Sequence, residues 1–354
     1  MSKLFSPITL GNVEIRNRVW IAPMCQYSCE NRDGVPGDWH VVHYPSFASG
    51  GAGLIVVEAT AVSPIGRISP WCTGIWNEEQ ADAWKRVTQL IHQRGAKAGV
   101  QLAHAGRKAS VYREWSGSGT VPESDGGWQT VSSTADAFTG YAAPRALETG
   151  ELPGIIDEFR LAAKLAVGAG FDLIEIHAAH GYLIHQFLSP ITNQRTDDFG
   201  GSLENRARLL LEIVTAVRGE VGPGFPILVR FSATDYREDG WNERDTARVA
   251  AWCAAAGADL FDISSGGLVT GVTIPTGPGY QVPLAQSVAT VGGVRVSAVG
   301  QITTGSQAEQ ILQSTGVEAI SIGRAALRNP FWAAAAAREL GEHPDYLPKQ
   351  YGRS

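Results

Sequence analysis

Cysteine is scarce in this chain of 354 residues: Cys25, Cys29, Cys72 and Cys253 are the four present, and none stands in a CxxC pair. Cys25 and Cys29 have no compact histidine cluster beside them to complete a zinc site. A disulfide framework belongs to small secreted chains, so this usage reads as reduced and cytosolic. Runs of one charge are also missing. The net charge is −6 with both signs interspersed, which argues against nucleic acid and anionic membranes as partners. No apolar run approaches the ~18 residues that a membrane helix needs. Met1 to Phe5 shows no charged segment leading into an apolar one, so no signal peptide is expected and a cytoplasmic location is.

What is present is enough apolar material, 44% of residues, for a large core. It is distributed as short aliphatic runs: Arg18–Ala22, Leu54–Ala59, Ala98–Leu102, Leu173–His177, Ile227–Phe231, Leu260–Ser264, Arg295–Val299 and Ala319–Ile322. Near-continuous runs of this kind suit strands buried on both faces. Helical spacing falls between most of them, over Glu78–Arg94, Ser202–Arg218 (Ser202 as N-cap), Thr246–Ala256 and Gln307–Ser314, with the alanine run Ala333–Ala337 as the last helix. Eight strands alternating with helices predict one α/β domain over residues 1–354, a (β/α)8 TIM barrel. The open, doubly wound sheet is the competitor. It calls for a GxGxxG turn after the first strand, where this chain has Pro23, Met24, Cys25, Gln26 and Tyr27. Leu10 to Val13 reads as an N-terminal hairpin turn that plugs the barrel bottom. Residues 109–150, polar and following the third strand, read as a long capping loop over the active-site end.

In such a barrel the chemistry gathers at the C-terminal ends of the strands. Those points carry APMCQY (Ala22–Tyr27), QLAHAGRK (Gln101–Lys108), HAAHGYL (His177–Leu183), Arg230, Gly300 and SIGRAALRNP (Ser321–Pro330). RNR (Arg16–Arg18) precedes the first strand and RTDDFGGSLENRARLLLE (Arg195–Glu212) follows the fourth. From chemistry alone, His177 and His180 at a strand end form either a pair of N–H donors for one oxygen or two ligands of a zinc ion whose third ligand is not visible. Tyr182 is either a proton donor or an aromatic core residue. Gly300, Gly323 and Arg324 suit a phosphate, which flavin enzymes, aldolases and isomerases all bind.

In order and at this spacing, these motifs resemble the Old Yellow Enzyme family of FMN-dependent ene-reductases over essentially the whole chain. Cys25 places it nearer the thermophilic-like branch, which includes xenobiotic reductases. The resemblance implies non-covalently bound FMN, NADPH or NADH as hydride donor, and ping-pong reduction of activated alkenes such as unsaturated carbonyls and nitro compounds. It implies that His177 and His180 hold the substrate oxygen, that Tyr182 protonates the α carbon, and that Tyr27 closes the pocket. Ala22, Pro23, Met24, Cys25 and Ala59 would line the flavin, with Gln101 at its pyrimidine edge, Arg230 near N1 and O2, and Gly300, Gly323 and Arg324 on its phosphate. No metal site is expected. Lys108 either contacts the flavin or orders the long loop. Arg353 either enters a neighbouring subunit's site in a homodimer or homotetramer, or belongs to a frayed terminus. Ile65 and Val299 are expected beside the pocket. The alternative kept beside this reading is a phosphate-binding barrel aldolase or isomerase without flavin, with Lys108 as the only Schiff-base candidate.

Overall fold

The computed structural model describes residues 2–351. The chain opens with an antiparallel hairpin, β1 (Ile8–Leu10) and β2 (Val13–Ile15). Its turn needs glycine: Gly11 sits at φ +50°, and a Cβ there would lie 2.4 Å from the Gly224 carbonyl oxygen. Three barrel strands follow, β3 (Val19–Ile21), β4 (Leu54–Ala61) and β5 (Lys97–Ala103). A short parallel pair, β6 (Val131–Ser132) and β7 (Arg145–Ala146), lies in the long segment after β5. The barrel resumes with β8 (Leu173–Ala178), β9 (Ile227–Ser232), β10 (Leu260–Ser264), β11 (Val296–Ala298) and β12 (Ala319–Ile322), and β12 pairs with β3 to close it. All eight barrel strands are parallel.

The expected barrel is therefore what forms, with each of the eight expected strands in place. Their residues are almost uniformly buried, because helices cover the outer face and side chains fill the inner one. The hairpin does plug the bottom: Ile8, Leu10 and Ile15 join Trp20, Leu54, Leu173, Leu228 and Leu260 in one apolar cluster.

The helices are α1 (Asp38–Ser49), α2 (Glu78–His92), α3 (Leu152–Gly168), α4 (Leu183–Leu188), α5 (Leu203–Val221), α6 (Glu243–Ala255), α7 (Val282–Gly292), α8 (Gly305–Ser314), α9 (Arg324–Arg328) and α10 (Trp332–Glu339). α2 turns Ala81, Trp84, Val87 and Ile91 inward, and Asn77 caps it by accepting from Gln80 N–H. Ser202 caps α5 in the same way through Asn205 N–H. Helices α1, α3, α4, α7 and α9 are not among the helical patterns read from sequence. In α1 the buried positions include His40 and Tyr44, and Pro45 lies inside the helix, so apolar periodicity is nearly lost. Residues 109–150 pack Val111 over a small cluster with Ala59, Cys72, Ala103, Tyr27 and Tyr182, as expected of a cap.

Candidate active site

The segment after β3 is anchored from two sides. Ala22 N–H donates to Ile322 O at 3.1 Å, which ties it to the end of β12. Gln26 N–H donates to Glu58 Oε2 at 2.9 Å. Glu58 reaches it because the β4–β5 register shifts between Val57 and Ala59, an irregularity that re-aims the residue between them. Its other oxygen accepts from Tyr44 OH at 2.8 Å and lies 3.3 Å from His40 Nε2. Ala22 and Ala59 are buried, and Pro23, Met24 and Cys25 are half-buried. Burial first, then the Glu58 charge, pushes the Cys25 thiol up to about 12, so it stays protonated rather than nucleophilic. Tyr27 stands at φ +52° and packs edge-on against Trp115 at 6.2 Å, and its phenol is held above its ordinary range by the Cys25 sulfur and by burial.

The end of β8 brings His177, His180 and Tyr182 together. His177 Nδ1 accepts from Ala179 N–H at 3.2 Å, which leaves its hydrogen on Nε2. His180 Nδ1 lies 3.5 Å from that Nε2, and His180 Nε2 lies 2.8 Å from Ser264 Oγ. The Ser264 hydroxyl also reaches Gln281 Oε1 at 3.2 Å, an oxygen that Ser265 Oγ already serves at 2.7 Å; when it turns instead to His180 Nε2, His180 carries its hydrogen on Nδ1. Two N–H groups would then converge on one point. Burial, and then the Arg230 charge, depresses both imidazoles well below the ordinary histidine range, so both are neutral at pH 7. The Tyr182 ring stands edge-on to His177 with centroids 4.9 Å apart, and burial raises its phenol. Among the described residues, no group of three or more His, Cys, Asp or Glu side chains is placed to hold a metal ion, so the pair finds no third ligand.

Deeper in the barrel, Gln101 Nε2 donates to Glu175 Oε1 at 2.7 Å. Arg230 Nε lies 3.1 Å from Asp262 Oδ2, and Ser297 Oγ donates to Asp262 Oδ1 at 2.8 Å. Burial and the Asp262 charge raise the Glu175 carboxyl to about 8, against the pull of Arg230 and Gln101. Glu175 and Asp262 escaped assignment from sequence. Their signal was a lone acid inside an aliphatic strand, LIEIHA and LFDIS.

At the ends of β11 and β12, Gly300 and Gly323 with Arg324 line a cavity of about 400 Å³, together with Gln301, Thr303 and Arg328. Arg324 is exposed and makes no hydrogen bond or ion pair among the described residues. Gly300 takes φ +122°, and a Cβ on Gly323 would meet nothing closer than Met24 Sδ at 3.8 Å. The cavity lies between the segments after β10, β11 and β12. Arg328 and Gln281, which donates to Val299 O at 3.1 Å, are further members that sequence reading missed. Ile65 is exposed, its carbonyl accepting from Trp128 Nε1 at 2.9 Å. Lys108 donates to backbone carbonyls of His180 and Gly267. Arg353 lies outside the described residues.

Not every distinctive motif serves the site. Arg195 bonds to Ser133 O and Leu147 O, Arg206 to Leu188 O, and Asn17 to Gly51 O, so these motifs brace the frame.

The sequence profile of the NADH:flavin oxidoreductase / NADH oxidase family matches residues 3–342. An NADPH dehydrogenase of Listeria monocytogenes is 47% identical over 354 residues, covering 100% of this chain and 99% of that one. An NADPH dehydrogenase of Halalkalibacterium halodurans is 45% identical over 352 residues, 99% of this chain and 98% of its own. Among solved structures, morphinone reductase superposes with a TM-score of 0.79 at 30% identity, over 97% of this chain and 90% of that one. 2-Naphthoyl-CoA reductase superposes with a TM-score of 0.87 at 26% identity, and there this chain, 96% covered, spans only 52% of the longer protein. The extent of these matches, on a barrel with this set of strand ends, makes the chain a member of the NADH:flavin oxidoreductase / NADH oxidase family, the Old Yellow Enzyme family of oxidoreductases.

Proposed function

We propose that the chain acts as one FMN-binding unit and reduces the C=C bond of activated alkenes, α,β-unsaturated carbonyls and nitroalkenes, with NADPH or NADH as donor. The observation that carries this reading is the 3.5 Å approach of His177 Nε2 and His180 Nδ1 in neutral rings. An oxygen about 2.8 Å from each would accept from both, within ordinary hydrogen-bond geometry. The names of the Listeria and Halalkalibacterium relatives favour NADPH as donor.

The donor set suits a flavin nucleotide. No hydrogen bond is made by the terminal nitrogens of Arg230 within the described residues. They are free for an electron-rich acceptor, which a buried cation requires. Gln101 keeps its carbonyl and one N–H for a heterocycle edge, since its other N–H is spent on Glu175. The glycine-floored cavity with Arg324 and Arg328 suits the phosphate. FMN held by these residues would supply the hydride chemistry between NADPH or NADH and the β carbon of the alkene.

His177 and His180 hold the carbonyl or nitro oxygen and stabilise the negative charge that builds there in the transition state. Tyr182, beside His177, delivers its phenolic proton to the α carbon. Tyr27 closes the facing wall, and Cys25 contacts ligand as a neutral thiol. The aldolase reading called for a free lysine amine, whereas Lys108 Nζ is tied to two carbonyls at 2.9 Å each. No helix among the described residues is long and apolar enough to cross a membrane. A cytoplasmic homodimer or homotetramer, with Arg353 reaching the neighbouring site, completes the proposal.

An anaerobic visible spectrum tests it. The expected flavin band bleaches with NADPH and returns with 2-cyclohexenone. A band that bleaches and stays bleached removes the alkene reductase, and a colourless protein that takes up no FMN removes the flavin.

A further inference from the structure

His180 is the residue of the oxygen clamp with an awkward backbone: φ is +58°, in the left-handed region where a side-chain-bearing residue is strained. Its surroundings hold it there from several sides. Its N–H donates to Ser232 Oγ at 2.9 Å. A Cβ on Gly267 would lie 2.8 Å from His180 Cα, and a Cβ on Gly181 would lie 2.5 Å from Gly267 O. The loops after β8 and β10 are thus pressed together through glycine, and the contact brings two carbonyl oxygens, of His180 and Gly267, near one point. Lys108 fills that point. Its Nζ donates to both oxygens at 2.9 Å and forms no ion pair among the described residues. The Phe138 ring of the cap covers the ammonium at 4.7 Å, and the Tyr182 ring lies 5.2 Å away.

We propose that Lys108 is a positioning residue: its ammonium bridges the loops after β8 and β10, and so locks the left-handed turn that aims the His180 imidazole at the ligand oxygen. The two carbonyl dipoles would otherwise repel each other across the glycine contact, and the cation between them removes that conflict. The same charge opposes protonation of His177 and His180, which keeps the clamp neutral. The inference rests on the reading of those two histidines as an oxygen clamp.

The test is a double-mutant cycle on the FMN-loaded protein. The dissociation constant of 4-hydroxybenzaldehyde, a phenol, is read from the change in flavin absorbance in wild type, Lys108→Met, His180→Ala and the double variant. Lys108→Met is expected to weaken binding roughly tenfold, the order of one misaligned hydrogen bond. In the His180→Ala background the same change is expected to add nothing, because Lys108 acts through His180. Wild-type affinity in Lys108→Met, or a loss that adds in full to that of His180→Ala, overturns the proposal. Ring ¹⁵N shifts of His180 are the second readout: one tautomer in wild type, an average of two in Lys108→Met. An unchanged pattern also overturns it. Lys108→Gln keeps amide donors for both carbonyls and is expected to fall between wild type and Lys108→Met. It carries the same cycle if the methionine variant does not fold. Unchanged phenol affinity in His177→Ala/His180→Ala overturns the clamp itself, an outcome distinct from failure of Lys108 alone.

Discussion

His177 Nε2 and His180 Nδ1 stand 3.5 Å apart with their ring planes at 89°, so the two nitrogens approach one point from perpendicular directions. Crossed rings can both donate to a single oxygen without stacking on each other. Replacing both by alanine is expected to weaken phenol binding by about 10²-fold and to slow alkene reduction by at least 10²-fold, the scale of oxyanion-hole donors. Titration of the flavin band with phenol measures the first and steady-state assay the second.

Tyr182→Phe separates the two halves of the cycle. The phenol protonates carbon only while alkene is being reduced. Reoxidation by 2-cyclohexenone is therefore expected to slow by about 10²–10⁴-fold, the range for a lost general acid, with reduction by NADPH changed far less. Anaerobic stopped-flow reads both. Equal losses in the two halves would refute the assignment.

Arg324→Ala addresses the phosphate. A charge-assisted contact to phosphate is lost, so FMN affinity is expected to fall by roughly 10–100-fold. Riboflavin, which lacks the phosphate, is expected to bind the variant and the wild type equally. A matching loss for riboflavin would move Arg324 away from the phosphate.

Arg230→Met removes a cation from beside Asp262, which stays buried. Two effects are expected together. Loss of the uncompensated partner costs about 3–5 kcal/mol of stability. Loss of the cation near the flavin lowers its two-electron potential by roughly 30–60 mV, one to two factors of ten. Thermal melting and potentiometry measure them, and an unchanged potential would place Arg230 in a purely structural role.

The pH dependence of stability has opposing parts. Burial depresses His43 and His104 to about 4, and His177 and His180 well below their ordinary range. As pH falls through about 6.5, the unfolded chain takes up protons that these native rings refuse, and stability is lost. Burial raises Glu175 to about 8 and Glu158 to about 7, so the native state keeps protons there that the unfolded chain releases above about 4.5, which costs stability as pH rises. Four histidines outweigh two carboxyls below pH 6.5. A melting temperature that peaks near pH 6.5–7 is therefore expected, with a loss of roughly 1–3 kcal/mol per pH unit toward pH 5. A midpoint that is flat from pH 8 to 5 would contradict the burial of these groups.

The legible part of this protein was the part written locally. Aliphatic runs such as Leu173–His177 are too uniformly apolar to be anything but buried, and their regular alternation with helices such as α2 leaves a parallel barrel as the economical arrangement. Strand ends then marked His177, His180, Tyr182, Gln101, Arg230, Gly300, Gly323 and Arg324 as a set. Helix α1 was illegible because Pro45 and its buried polar aromatics erase the periodicity. Glu58, Glu175, Asp262, Ser264 and Gln281 were illegible as site residues because nothing near them in the chain says what they touch.

Sequence by itself determined the barrel, its plug and the residues that could carry chemistry, because burial pattern and residue type are properties of short segments. Only the tertiary structure decided how those residues work. Ser264 meets His180 at 2.8 Å from a separate strand end, Asp262 faces Arg230 across neighbouring strands, and Lys108 spans two loops far apart in the chain. Tautomer, charge and aim are set by such partners, and partners are chosen by barrel closure rather than by neighbours in sequence.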